Sequence, residues 1–156
     1  MKILGVDIDS RKFGFVIIDG KKLHYYYFFE SKDKEPQERI YAIYEAFKIQ
    51  FNIQKPDIVF IEDSMYSQNY NTSRLIAETV GNCKLFCRLQ TVPVYTVANK
   101  SWKKEIIGNG NCSKDDIKEF IIKKYKVLKD SPQDVLDATG VALCGVKRIK
   151  EKNGKV

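Results

Sequence analysis

The sequence predicts an α/β domain built on a mixed five-stranded sheet, with three antiparallel strands first and parallel strands after them. Three observations lead there. Three apolar runs, residues 2–9, 12–19 and 23–29, follow one another across short polar breaks, and Asp19-Gly20 between the last two is a hairpin turn signal. Beyond residue 35, strand-like runs alternate with runs of helical period, and a strand reached through a helix should lie parallel to the first. The first run, Ile3-Leu4-Gly5-Val6, is nearly continuously apolar, as in a central strand covered on both faces, yet it drives straight into Asp7. A length of 156 residues suits one domain with a sizeable core.

After the opening strands, Pro36 sits where a helix starts, since its missing N–H costs nothing in the first turn. Ile40, Ile43, Tyr44, Phe47 and Phe51 then recur at spacings of three and four, giving one apolar stripe that Lys55-Pro56 stops. Residues 57–62 read as a fourth buried strand, again ending in a carboxylate, Glu62. A polar loop, 63–71, leads to a long helix over about 72–90, whose apolar side carries Leu75, Ile76, Thr79, Val80, Cys83, Phe86 and Cys87. Residues 93–97 form a short fifth strand, and a helix over 99–107 ends at the flexible Gly108-Asn109-Gly110. Ser113 caps a helix running to about residue 126. Ser131-Pro132 opens the last helix, which carries Asp134, Asp137, Ala138, Val141, Ala142 and Cys144. The expected domain is 1–147, followed by a basic C-terminal tail, 148–156, that should fray.

The net charge is +7, with a pI near 9.1. That balance favours a polyanionic partner, nucleic acid being the common one, over a lysine-rich surface with no partner. Cys83, Cys87, Cys112 and Cys144 include no CxxC pair, and the single histidine, His24, is distant in sequence. These features argue against zinc and for buried free thiols in a reducing compartment. The chain enters a strand at once, with no apolar leader, and no run approaches ~18 apolar residues, so a cytoplasmic protein with no membrane span is expected.

Four carboxylates stand out by position. Asp7 and Glu62 each end a buried strand, and parallel neighbours deliver both to one sheet edge. Asp134 and Asp137, spaced i, i+3, share one face of an otherwise apolar helix. Spacing alone leaves two readings open. Asp134 and Asp137 lie in the first two helical turns, where negative charge simply complements the helix dipole. Taken together, the four make a repulsive cluster that a divalent cation would resolve, and oxygen-only ligands point to Mg²⁺ or Mn²⁺. Two such ions at ~3.5–4 Å are the arrangement used for phosphodiester hydrolysis.

At these residues the chain resembles a known family, the RuvC-type Holliday junction resolvases of the ribonuclease H-like superfamily. Leu4-Gly5-Val6-Asp7-Ile8-Asp9-Ser10 is similar to the family's first-strand motif, and Ile61-Glu62-Asp63-Ser64 to its second acidic strand. Residues 106–114 resemble its Gly-x-Gly loop followed by a lysine, and Gln133-Asp134-Val135-Leu136-Asp137-Ala138 its final Asp-x-x-Asp-Ala helix. The order and spacing of these motifs hold from Met1 to about Val146. The resemblance implies a mixed sheet with helices on both faces. It implies a homodimeric, Mg²⁺-dependent endonuclease (Mn²⁺ may substitute), with two ions per site, that nicks paired strands of a four-way DNA junction. The implied products are 5′-phosphate and 3′-hydroxyl ends.

Carried over by position, Asp7, Glu62, Asp134 and Asp137 would be the metal ligands, with Asp7 bridging both ions. Lys103 and Lys114 match basic residues near the DNA. Where many members have an aromatic residue three positions after the glutamate, Met65 stands here with Tyr66 next to it, and Tyr66 could supply base stacking. Where members commonly have Pro-Gly after the first aspartate, this chain has Ile8-Asp9. Asp9 is read as a strand residue facing elsewhere rather than as an accessory ligand. A two-fold junction suits a two-fold dimer, and the helix over 72–90 is the candidate interface, with Ala77, Gly81 and Cys83 allowing close approach. Alternatives are a related nuclease acting on flaps, other branched DNA or RNA-containing substrates, and a non-catalytic junction-binding protein.

Overall fold

The structure, a computed structural model, describes residues 1–63 and 69–154. The described residues form strands β1 (Lys2–Ile8), β2 (Lys12–Asp19), β3 (Lys22–Glu30), β4 (Ile58–Asp63) and β5 (Val94–Ala98). The helices are α1 (Pro36–Gln54), α2 (Tyr70–Leu89), α3 (Asn99–Ile106), α4 (Lys114–Lys124) and α5 (Gln133–Asn153), with a 3-10 turn at Lys126–Leu128. The sheet runs β3-β2-β1-β4-β5. β2 is antiparallel to both β1 and β3, while β4 is parallel to β1 and to β5. This is the mixed sheet expected from the sequence, with element ends shifted by a residue or two.

Each face of the sheet carries its own core. Leu4, Val6 and Ile8 of β1 and Phe13, Phe15 and Ile17 of β2 pack with Ile43, Phe47 and Phe51 of α1 and Cys83, Phe86 and Cys87 of α2. The alternate positions, Ile3, Val16, Ile18 and Phe60, pack with Trp102 of α3, Ile117 and Ile121 of α4, and Val135, Val141 and Ala142 of α5. The period-two alternation of a strand thus sends Ile3, Gly5 and Asp7 toward α5. Two glycines let α5 lie directly on the sheet. A Cβ on Gly5 would run into the backbone of Ala138 and Ala142, and one on Gly14 into the backbone of Asp134.

Local signals account for the helix ends. Pro36 stands at the start of α1, and Lys55 closes it in the left-handed conformation, φ 49°, before Pro56. Ser113 and Asp116 form a reciprocal capping box on α4. All four cysteines are buried and free. Among the described residues no helix is long and apolar enough to cross a membrane.

Three expectations change. The basic tail does not fray at residue 148, because α5 continues to Asn153. Its extension is tied to α3, where the Arg148 Nε donates to Glu105 Oε2 at 3.1 Å and the Lys147 ammonium donates to the Glu105 carbonyl at 3.1 Å. Asp9 is not a strand residue, since β1 ends at Ile8. It lies in the tight β1–β2 connection, its N–H donating to the Lys12 carbonyl at 2.8 Å and its carboxylate accepting from the Ser10 N–H at 2.6 Å. Cys83 faces the core at 0% exposure, so it takes no part in any outer contact of α2.

Candidate active site

Asp7 is the sixth residue of β1, paired in register with Gly14 of β2. Glu62 lies on β4, one step past the last paired residue, Ile61, opposite Val6. Both therefore emerge at the C-terminal ends of adjacent parallel strands and on the face covered by α5. Because Gly14 has no Cβ, the first turn of α5 closes over that point and brings Asp134 with it. Asp137 follows one turn on.

The electrostatics show that these groups share one site. The Asp7 carboxyl is pushed well above the ordinary aspartate range, first by burial, then by the negative charges of Glu62, Asp137, Asp134 and Asp9. Burial also raises Asp137, to about 6, against opposing contributions from the Gln133 amide and the Lys103 ammonium. Glu62 is raised by burial too, and partly restored by hydrogen bonds from Asn99 and Trp102 and by the charge of Lys103. The structure thus brings all four sequence-predicted carboxylates together, and Asp9 joins them as a fifth negative charge at the rim.

Each of three carboxylates has its own donor. Glu62, 5% exposed, accepts from Asn99 Nδ2 at 2.7 Å on Oε1 and from Trp102 Nε1 at 2.6 Å on Oε2. Asp134 Oδ2 stands 3.1 Å from Lys12 Nζ. Asp137 Oδ1 accepts from the Gln133 side-chain amide at 2.8 Å. Held this way, no three His, Cys, Asp or Glu side chains among the described residues are grouped to hold one ion as they lie. The donor chemistry nevertheless fits a hard divalent cation. The ligands are all oxygen, they carry excess negative charge where water is scarce, and each carboxylate oxygen keeps a further lone pair beyond its present partner.

Lys103 lies beside the cluster, near enough to favour the charged forms of Glu62 and Asp137, with its ammonium 5.6 Å from the Trp102 ring centre. Lys114 stands exposed at the first position of α4. Met65 and Tyr66 lie outside the described residues. Sequence reasoning missed Lys12, Asn99, Trp102 and Gln133. Two signals were present: Lys12 shares the strand parity of Gly14, and Asn99 and Trp102 are spaced i, i+3 on the helix that follows the strand beside β4.

Fold and site define a class: a ribonuclease H-like α/β domain with an acidic cluster at the C-terminal ends of two adjacent parallel strands. A family model described as crossover junction endodeoxyribonuclease RuvC matches residues 3–145, and the chain belongs to that family. A crossover junction endodeoxyribonuclease RuvC from Sulfurovum sp. (strain NBC37-1) is 30% identical over 156 residues, covering 96% of this chain and 98% of the relative. One from Aliarcobacter butzleri (strain RM4018) is also 30% identical, covering 96% and 100%. Among solved structures, Thermus thermophilus RuvC in complex with a Holliday junction substrate superposes with a TM-score of 0.85 at 18% identity, covering 97% of this chain and 96% of that one. The yeast mitochondrial Holliday junction resolvase gives 0.64 at 14% identity, covering 93% and 78%. At such identities the structural likeness speaks to the fold.

Proposed function

We propose that this chain is a divalent-metal-dependent endodeoxyribonuclease that resolves four-way DNA junctions by paired symmetric nicking, leaving 5′-phosphate and 3′-hydroxyl ends. The observation that carries the reading is the mutual repulsion of Asp7, Glu62, Asp134 and Asp137 at one end of the sheet. It occurs in a chain whose relatives are named crossover junction endodeoxyribonucleases. The four carboxylates, Asp7 with Glu62, Asp134 and Asp137, would hold Mg²⁺, or Mn²⁺ in its place, two ions per site. When bound, such ions polarise the scissile phosphate and make an attacking water acidic.

The chain's own residues supply the frame. β1 and β4 fix Asp7 and Glu62 on rigid backbone, and α5 presents Asp134 and Asp137 from the facing layer. Lys103 offers a positive charge at the rim for a DNA phosphate, and Lys114 and Tyr66 are proposed to extend the DNA contact. With a net charge of +7, junction binding should weaken steeply with salt.

Paired nicking calls for two copies. The inner side of α2 is committed to the core through Ile76, Cys83, Phe86 and Cys87, but its outer side leaves Ala77, Gly81, Leu85 and Leu89 exposed. A Cβ added to Gly81 meets nothing within 4 Å, so this face is open to close approach by a second α2. Sedimentation of the purified chain reads the dimer directly.

The deciding experiment offers the protein a mobile four-way junction, a flap, a fork and an RNA–DNA hybrid, each with Mg²⁺ or with chelator. Symmetric paired nicks in the junction alone, dependent on Mg²⁺, are expected. Preferential cutting of the flap or hybrid moves the substrate to another branched or RNA-containing class. Tight junction binding without cutting makes the protein a binder.

A further inference from the structure

Trp102 does more than fill the core. It is completely buried in α3, and its indole N–H points at Glu62 Oε2 from 2.6 Å. The opposite edge of the same ring, at Cζ3, Cε3 and Cη2, lies against Gly140 of α5, so closely that any Cβ there would collide with it. Gly140 is three residues, one helical turn, beyond Asp137. The indole therefore spans from the carboxylate on β4 to the backbone of the helix that carries the other two. Asn99, one turn earlier on α3, takes the second Glu62 oxygen at 2.7 Å.

A buried carboxylate with only water for partners would sample several rotamers. One held by two rigid donors on separate oxygens does not, and its remaining lone pairs face away from those donors. An indole is a stiff spacer with no internal torsion. A ring wedged against Gly140 thus fixes the separation between Glu62 and α5 to within the slack of ring packing.

We infer that Trp102 and Asn99 are positioning residues that aim the Glu62 carboxylate and set its distance from the Asp134/Asp137 helix. The inference rests on the nuclease reading of the site but reaches beyond it, assigning the clamp to α3. Each donates to a Glu62 oxygen. Both act through Glu62, as groups that orient metal-binding carboxylates do.

Trp102 is the single tryptophan, so ¹⁵N-labelled protein shows one indole N–H resonance. Glu62→Gln, which swaps a charged acceptor for a neutral one, should move that resonance, and Mn²⁺ alone should broaden it. Trp102→Phe removes the donor together with the outer edge of the indole that reaches Gly140. Asn99→Ala removes the other donor at a half-buried position and serves if Trp102→Phe folds poorly. Each should weaken Mn²⁺ binding to the DNA-free protein, measured calorimetrically, and lower single-turnover nicking of a four-way junction by roughly 10–100-fold. Junction affinity in chelator should stay at the wild-type value. An indole resonance indifferent to Glu62→Gln, or variants that bind Mn²⁺ as tightly as wild type, overturns the inference. A wild-type protein that does not nick junctions defeats the proposed function instead, and the indole and Mn²⁺ measurements still decide the clamp.

Discussion

Lys12 and Asp134 meet across the contact between β2 and α5, ammonium to carboxylate at 3.1 Å, with the aspartate almost wholly buried and the lysine about one-third exposed. The pair places a positive charge at the edge of a site that otherwise gathers negative ones, and Asp134 in turn holds the Lys12 pKa above its usual value. A lysine there stands in for part of the cation charge while none is bound. Lys12→Gln should therefore cost stability in chelator, roughly 1 kcal/mol given the screening of its exposed end. It should also enlarge the rise in Tm that Mg²⁺ produces. Calorimetric melting of both proteins, with and without Mg²⁺, reads both effects, and an unchanged Mg²⁺ increment would remove Lys12 from the site's charge balance.

Asp7 experiences every other carboxylate of the cluster, so function and stability should pull in opposite directions there. Asp7→Asn removes a charge that burial and four neighbours disfavour, and its amide can still occupy the same volume. In chelator at pH 7 the variant should be more stable than wild type by about 1–3 kcal/mol. Mg²⁺-dependent nicking should vanish while junction binding survives. Melting curves, gel-shift titration and a nicking assay on one preparation separate the three quantities. Full nicking by Asp7→Asn would sink the assignment of Asp7 to the metal site.

The four carboxylates were legible because each rests on a short-range rule. Apolar runs fix β1 and β4, strand parity and parallel order send Asp7 and Glu62 to one edge, and the i, i+3 spacing puts Asp134 and Asp137 on one helix face. Most of their partners were not legible, because no local pattern links residues so far apart; Gln133, one turn before Asp137, is the exception. Trp102 reaches Glu62 from 40 positions away, through the adjacency of β4 and β5. Lys12 is one of 27 lysines and arginines, distinguished only once the hairpin register sets Asp7 against Gly14 and α5 docks over that glycine. The same kind of contact accounts for the tail. Residues 148–153 are lysine-rich and read as unanchored, yet Arg148 finds Glu105, whose carboxyl it holds below the ordinary range. Asp9 misled for the opposite reason: strand alternation was extended one residue past the turn that ends it.

The acidic cluster should also give the metal-free protein an unusual pH response. Asp137 has an ordinary pKa of 3.8 and is raised to about 6 in the fold. Between those values the folded chain binds more proton than the unfolded chain, so this group's contribution is full below pH 4 and is lost as pH rises through 6. A shift of that size corresponds to about 3 kcal/mol. In chelator, the stability of Asp137→Asn relative to wild type should therefore climb between pH 4 and pH 7, since the asparagine has nothing to titrate. Urea unfolding at intervals across that range tests it. A pH-independent difference between the two proteins would mean that Asp137 titrates normally.

Gly14 joins the geometry of the sheet to the geometry of the site. It faces Asp7 in the ladder, and the Asp134 backbone occupies the space its side chain would need. The obstacle is main chain, so no rotamer change can make room. Gly14→Ala must push the first turn of α5 off the sheet, moving Asp134 and Asp137 away from Asp7 and Glu62. Overpacking of this kind costs typically ~1–3 kcal/mol, and Tm should fall accordingly, with nicking lost even at temperatures where the variant is folded. Gly81→Ala adds the same methyl in α2, where nothing within the chain lies within 4 Å, so its melting, read on the monomer, is the comparison for Gly14→Ala. Gly81→Ala should stabilise the helix by up to about 1 kcal/mol. If Gly14→Ala melts and nicks like wild type, α5 is not held against β2 as described, and the four carboxylates do not owe their convergence to that contact.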